Sequence, residues 1–201
     1  MKTDHSMKVE NPVVLVVVGV LILGGIFFLM QGKAGPSAGS TDSPSVSMMS
    51  EKQGKYPIAP ELQGIAGYIN TPEGTTLADF KGNVILIDFW TYSCINCIRT
   101  QPYLNAWYGQ YADKGLVIVG IHTPEFDFEK KYENVQKAVE DEKIKYPVVL
   151  DNDFQTWRAY KNQNWPLKYL IDVDGFIRYD HIGEGAYEET EAEIQKLLKE
   201  R

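Results

Sequence analysis

A chain of 201 residues with 44% hydrophobic residues and a formal net charge of −7 has room for one globular domain of ordinary size and an additional segment. The acidic balance, with Lys and Arg scattered rather than gathered into a basic run, excludes a nucleic-acid-binding surface, because such a chain repels phosphate.

The first element is the run Pro12 to Met30, which carries no charged side chain and is dominated by Val, Leu, Ile and Phe. At 1.5 Å per residue, roughly 19 helical residues span about 28 Å, close to the hydrocarbon thickness of a bilayer. The run is therefore expected to be a single transmembrane helix, with residues 1–11 cytoplasmic because Lys2 and Lys8 precede it and Lys33 follows. A cleaved signal peptide is the competing account, with Gly32-Lys33-Ala34 as a processing site. Signal cores usually run only about 7–15 residues, which favours the anchor. No cysteine follows the run to take a lipid, which excludes a lipoprotein. Residues 31–55, rich in Gly, Ser, Pro and Thr, are expected to be a flexible tether, since they cannot bury enough surface to offset their ordering entropy. Residues 56–201 would then form the compact domain, on the extracytoplasmic side where disulfides persist.

Within that domain, Val84 to Trp90 is an apolar strand broken by one acid, and Ile95 to about Tyr111 reads as a helix interrupted by Pro102. Leu116 to Ile121 is a second buried strand, followed by a charged helical stretch from Asp127 to about Lys143. Pro147 to Leu150 predicts a short strand, Phe154 to Lys161 a short helix and Leu167 to Val173 another strand. Asp174-Gly175 is a turn into the strand Phe176 to Tyr179, and Thr190 to Lys199 closes the chain as an amphipathic helix. Strands separated by helices imply crossovers, and the late hairpin adds an antiparallel edge, so a mixed sheet with helices on both faces is expected.

The only two cysteines form Cys94-Ile95-Asn96-Cys97, directly after the first strand. If Cys94 opens the helix, its sulfur sits where backbone N–H groups and the helix dipole favour a thiolate, which makes it the expected nucleophile. A structural zinc site needs four ligands, and the chain offers no further cysteine and only His5, His122 and His181. A static disulfide closing so small a loop would remove little entropy from the unfolded chain. Redox exchange is the better account of the pair.

From about Tyr56 onward the sequence resembles the thioredoxin family, through the strand and turn from Asp88 to Cys97 and the helix proline Pro102. The resemblance implies a thioredoxin-like three-layer α/β fold, with Cys94 as attacking thiol, Cys97 as resolving thiol and Asp88 as the buried acid beneath them. It also implies that Pro166, after Trp165, is the cis-proline facing the disulfide. More narrowly, Trp90 to Cys97, Trp165-Pro166, Tyr169 to Asp172, Ile177 to Tyr179 and Gly183 to Gly185 resemble the domain that DipZ-type proteins join to a transmembrane electron carrier. With one apparent span here, a carrier of the DipZ or CcdA type would be a separate partner. The TlpA- and ResA-type membrane-anchored reductases are similar too, but they often carry a glutamate where this chain has Thr100.

The function implied is a membrane-bound protein-disulfide reductase in cell redox homeostasis, with protein thiols and disulfides as partners and no cofactor beyond the Cys94–Cys97 disulfide. Asp88, stripped of solvent, should have a raised pKa and take the Cys97 proton. Trp90, Tyr92 and Trp165 are candidates for an apolar collar on which substrates dock. For His122, His181 and Glu184 the simpler account is a polar residue leaving the sheet. The Ile95-Asn96 pair tunes the potential within a range of about −270 to −120 mV for such proteins, so the direction of electron flow stays open. Two rivals also stay open. Thr91-x-x-Cys94 matches part of a thioredoxin-fold peroxidase signature, with Ile87 where proline is required. The other is a tethered binding or chaperone module without redox turnover.

Overall fold

The computed structural model describes residues 44–201. The expected membrane span at 12–30 and the start of the tether lie outside the described residues, among which no helix is long and apolar enough to cross a membrane.

The compact unit runs from Pro44 to Arg201, so it begins earlier than the composition suggests. Helix α1 (Pro44–Lys55) occupies the second part of the stretch expected to be tether. Its last turn is tied down by charge: the Lys52 ammonium lies 2.9 Å from the Asp172 carboxylate and 2.7 Å from that of Asp174. Asp172 is also paired with Arg178 at 2.8 Å. A polar segment of this kind is ordered by reaching a buried acid, a contact that local composition does not reveal.

Six strands form one mixed sheet in the order β1-β4-β3-β2-β5-β6. At its centre, β2 (Val84–Trp90) runs parallel to β3 (Leu116–His122), which runs parallel to β4 (Val148–Leu150). The edges are antiparallel: β1 (Gly67–Ile69) on β4, β5 (Leu167–Ile171) on β2 and β6 (Ile177–Ile182) on β5. Every residue of β2 is buried, as its near-continuous apolar sequence requires of a strand covered on both sides.

Alternation along β2 sorts its side chains between two cores. Val84, Leu86 and Trp90 pack against α2 (Ile95–Tyr111), α3 (Tyr132–Asp141) and α5 (Tyr187–Lys199) through Leu104, Trp107, Val135, Val139, Ile194 and Leu197. Ile85, Ile87 and Phe89 pack on the other face against Trp157 and Tyr160, in and after α4 (Gln155–Ala159). The expected mixed sheet with helices on both faces is present. Asp88 falls in phase with Leu86 and Trp90, on the face covered by α2.

Two local expectations need correction, and one strand had no expectation. The stretch 127–143 is not one helix: a 3-10 turn at Asp127–Lys130 precedes α3, separated by Lys131 at φ −74° and ψ 121°. The break follows from the fully buried Glu129, whose carboxylate accepts the N–H groups of Glu125 and Phe126 and so folds the chain back on itself. Strand β5 stops at Ile171 because Asp172 turns the chain, accepting the N–H groups of Asp174 and Phe176, with Gly175 at φ 93°. The strand β1 is too short for its three residues to have carried a periodic signal.

Candidate active site

Strand β2 delivers the chain to the amino end of α2, and Cys94 is the residue that caps it. Its backbone is extended, at φ −75° and ψ 114°, and its sulfur accepts the Cys97 N–H at 3.3 Å. Both cysteines are free thiols; Cys94 is half-buried, while Cys97, one turn into the helix, is only 3% exposed. Burial pushes the Cys97 thiol far above its ordinary range, and the hydrogen bond with Cys94 and the charge of Asp88 add to the effect. The pair is therefore asymmetric, with one sulfur facing solvent and the other held protonated behind it.

Asp88 is 1% exposed and its Oδ1 has no hydrogen-bond partner. Burial raises its pKa to about 7, partly offset by the positive charge of Lys168. Lys168 sits directly opposite Asp88 in the β2–β5 register, so both side chains project from the same face of the sheet. It is fully buried, and its ammonium donates to the Gly183 carbonyl at 3.0 Å. Burial lowers its pKa, while the charges of Asp88 and Cys97 oppose that. On the other side of Asp88 the register partner is Gly120, where a Cβ would lie 3.0 Å from the Trp90 indole nitrogen and 3.2 Å from the Tyr146 ring. A side chain here would have to push those two rings back by a few tenths of an ångström from their place beside the acid.

The expected aromatic collar is divided. Trp90 is 2% exposed and meets the His122 ring edge-on at 5.3 Å, so it packs inward. Tyr92 remains half-buried and stacks on His122 at 5.6 Å. Trp165 is half-buried; its indole N–H donates to the Thr123 carbonyl at 3.0 Å and its ring lies 4.3 Å from that of Trp157. The Trp165–Pro166 peptide is cis, and the Pro166 carbonyl accepts the Gly183 N–H at 2.8 Å. A cavity of about 160 Å³ opens between α2 and α3, walled by Trp90, Tyr92, Cys97, Ile98 and Gln101.

His122 is fully buried, with Nε2 3.3 Å from the Thr91 hydroxyl, and burial lowers its pKa to about 4 against the pull of Glu129. It is thus a neutral imidazole beside the cysteine turn. His181 and Glu184 contact each other through the Glu184 carbonyl, 3.3 Å from Nε2, and Glu184 pairs with exposed Arg99 at 3.5 Å. Thr100 is spent on its own helix, donating to the Asn96 carbonyl at 2.9 Å. Among the described residues, no three His, Cys, Asp or Glu side chains cluster as a metal site.

Two residues of this site carry no sequence expectation. Lys168 interrupts an apolar strand just as Asp88 does, so the same signal was present in the sequence and the register joins the two. Glu129 looks in the sequence like one more acid of a charged helix. In the fold it is fully buried, accepting from the Ser93 hydroxyl at 2.5 Å and from the Glu125 and Phe126 N–H groups at 2.6 and 2.9 Å. Burial acts to raise its pKa, but these donors and the Thr91 hydroxyl outweigh it and hold the carboxyl below its usual range.

Residues 59–180, more than half of the chain, match the model of the AhpC/TSA family. Protein DipZ of Mycobacterium tuberculosis is 47% identical over 144 residues, which cover 71% of this chain and 21% of DipZ. The chain thus spans about a fifth of that relative's length. The thiol-disulfide oxidoreductase ResA of Bacillus cereus is 31% identical over 121 residues, covering 60% of this chain and 67% of ResA. Among solved structures, the thioredoxin domain of a thiol-disulfide oxidoreductase from Bacteroides vulgatus superposes with a TM-score of 0.58 at 28% identity, covering 69% of this chain and 96% of that one.

Proposed function

The chain belongs to the AhpC/TSA family, and we propose that it is a thiol-disulfide oxidoreductase that reduces protein disulfides through Cys94 and Cys97. The observation that carries this is the asymmetric thiol pair at the start of α2, set over a buried carboxyl whose pKa is raised to about 7. In the reaction, the Cys94 thiolate attacks one sulfur of a substrate disulfide, and the other substrate sulfur leaves as a thiolate. Asp88 takes the Cys97 proton, and Cys97 attacks the Cys94 sulfur of the mixed disulfide. The substrate departs with both sulfurs reduced, and the two electrons it gained leave Cys94 and Cys97 joined as a disulfide. Asp88 suits the proton transfer because its pKa of about 7 lets it pick up and lose a proton near neutrality. Lys168 limits that rise and supplies positive charge as Cys97 becomes a thiolate.

The same proposal places the domain outside the cytoplasm, anchored through residues 12–30 and regenerated by a separate transmembrane electron donor of the DipZ or CcdA type. The uncharged run Pro12 to Met30 and the similarity to one part of DipZ support it.

Cys97→Ala is the direct test, since it should stall the mixed disulfide on Cys94. Non-reducing electrophoresis of cells expressing it should show disulfide-linked partners that vanish with Cys94→Ser. Failure to recover any such species under either reducing or oxidising growth would overturn the proposal. A burst of hydrogen peroxide consumption by the purified protein would favour a peroxidase instead.

A further inference from the structure

Phe126 and Phe128 stand 49% and 51% exposed, with their rings stacked at 5.5 Å and within 5° of parallel. About half of each ring is thus left in water, where burial against an apolar partner would be favourable. The segment that carries them is nevertheless held firmly. Glu129 grips it from inside through the Glu125 and Phe126 N–H groups and the Ser93 hydroxyl. The Phe128 carbonyl accepts from Asn134 at 2.8 Å and from the Tyr92 hydroxyl at 3.2 Å, and Asn152 donates to the Lys130 carbonyl at 3.0 Å. The rings are fixed in an outward position rather than left loose.

Their position connects them to the thiols. Ser93, bonded to Glu129, immediately precedes Cys94, and the Tyr92 ring is 6.2 Å from Phe128. Tyr92 and Ile98, the latter 37% exposed, also wall the cavity at Cys97. An apolar strip therefore runs from Phe126 through Phe128 and Tyr92 to Ile98, alongside the turn that carries Cys94. Its borders lean acidic: Glu125 and Asp127 flank Phe126, and Asp141 and Glu142 line the cavity. Lys130 and Lys137 pair with Asp127 and Asp141, Arg99 beside Ile98 pairs with Glu184, and Lys131 is exposed, while Glu125 and Glu142 have no ion-pair partner among the described residues.

We propose that this strip is the docking surface for an extended segment of the disulfide-bearing partner protein, with a bulky apolar side chain near its cysteine and basic residues flanking it. The inference rests on the function proposed above, because it is the thiol pair that brings such a segment to this edge. Preorganised apolar surface at a reacting sulfur spares the partner the ordering cost of building its own site.

The test is a binding titration that needs no redox chemistry, using the full-length protein in detergent micelles. The probe is a fluorescent twelve-residue peptide without cysteine, bearing leucine and phenylalanine between lysines. A second peptide has serine at the apolar positions, and a third has glutamate in place of lysine. The protein should bind the first about tenfold more tightly than the second, the equivalent of one well-buried side chain, and the third should bind more weakly than the first. In Phe126→Ser/Phe128→Ser the preference for the first over the second should shrink to within about twofold, while Phe126→Leu/Phe128→Leu should keep it. Equal binding of the first two peptides, or survival of the preference in the serine variant, overturns the proposal. A protein that shows the peptide preference yet reduces no disulfide would sink the proposed function and leave the docking surface standing.

Discussion

Asp88 and Glu129 are both withdrawn from water beside the same cysteine turn, yet their carboxyl groups respond in opposite directions. Asp88 keeps an oxygen without a hydrogen-bond partner, and burial raises its pKa to about 7. Glu129 receives two backbone N–H groups and the Ser93 hydroxyl, and its pKa lies below the usual carboxyl range. Burial is common to both, so the donors make the difference. An acid starved of donors is free to exchange its proton; an acid saturated with them is a fixed anion that holds a loop.

The largest test of this contrast is the pH dependence of Asp88→Asn. In wild type, the folded-state pKa of Asp88 lies above its unfolded value, so its favourable contribution is complete below about pH 4 and is lost as pH rises through about 7. The asparagine variant escapes that loss. Relative to wild type it should gain on the order of 4 kcal/mol between pH 3 and pH 9 by urea denaturation. A constant difference between the two proteins across that range would show that Asp88 is satisfied after all. The same variant should resolve its mixed disulfide more slowly at pH 7, by on the order of a hundredfold.

Glu129→Gln should have the opposite sign. An amide presents its NH₂ to at least one of the donors now facing the carboxylate, and stability should fall by about 3 kcal/mol at pH 7. Because the folded pKa is depressed, the wild type has this advantage above the ordinary carboxyl range and loses it as pH falls through the folded value. The gap between the two proteins should therefore narrow toward pH 3; a gap that stays level with pH would remove charge from the account.

His122 offers a comparable effect in the same region. Its pKa falls from an ordinary 6.5 to about 4, so the stability it confers is complete above 6.5 and is lost as pH drops through 4. His122→Phe should remove about 3 kcal/mol of the acid sensitivity of the fold between pH 6.5 and pH 4. The smallest expected change belongs to Lys168→Met. Without that ammonium the Asp88 pKa should climb further, moving the midpoint of the pH–turnover profile upward by about one pH unit. A midpoint that stays in place would mean that Lys168 is there only to close the β5–β6 end through the Gly183 carbonyl.

Much of the contrast was half legible in the sequence. Asp88 stood out because one acid in Val84 to Trp90 breaks an apolar strand, and that signal survives without any knowledge of its neighbours. Lys168 gave the same signal in β5, but its partner is set by a strand register that the sequence does not display. Glu129 gave none, since its burial depends on a turn it creates by folding back onto Glu125 and Phe126. The order of elements from β2 to α5 could be read from periodicity. Helix α1 could not, because Lys52 is ordered by Asp172, 120 residues further along the chain.

Under the proposed function, the 3% exposure of Cys97 also governs the order in which partners can be met. While one protein is held on Cys94, no second protein can reach the remaining thiol. In the exchange proposed above, donor and acceptor must therefore visit in turn, and no complex of all three takes part. Steady-state rates with both partners varied should accordingly give parallel double-reciprocal lines, the mark of a double-displacement cycle in which the protein carries electrons from one visitor to the next.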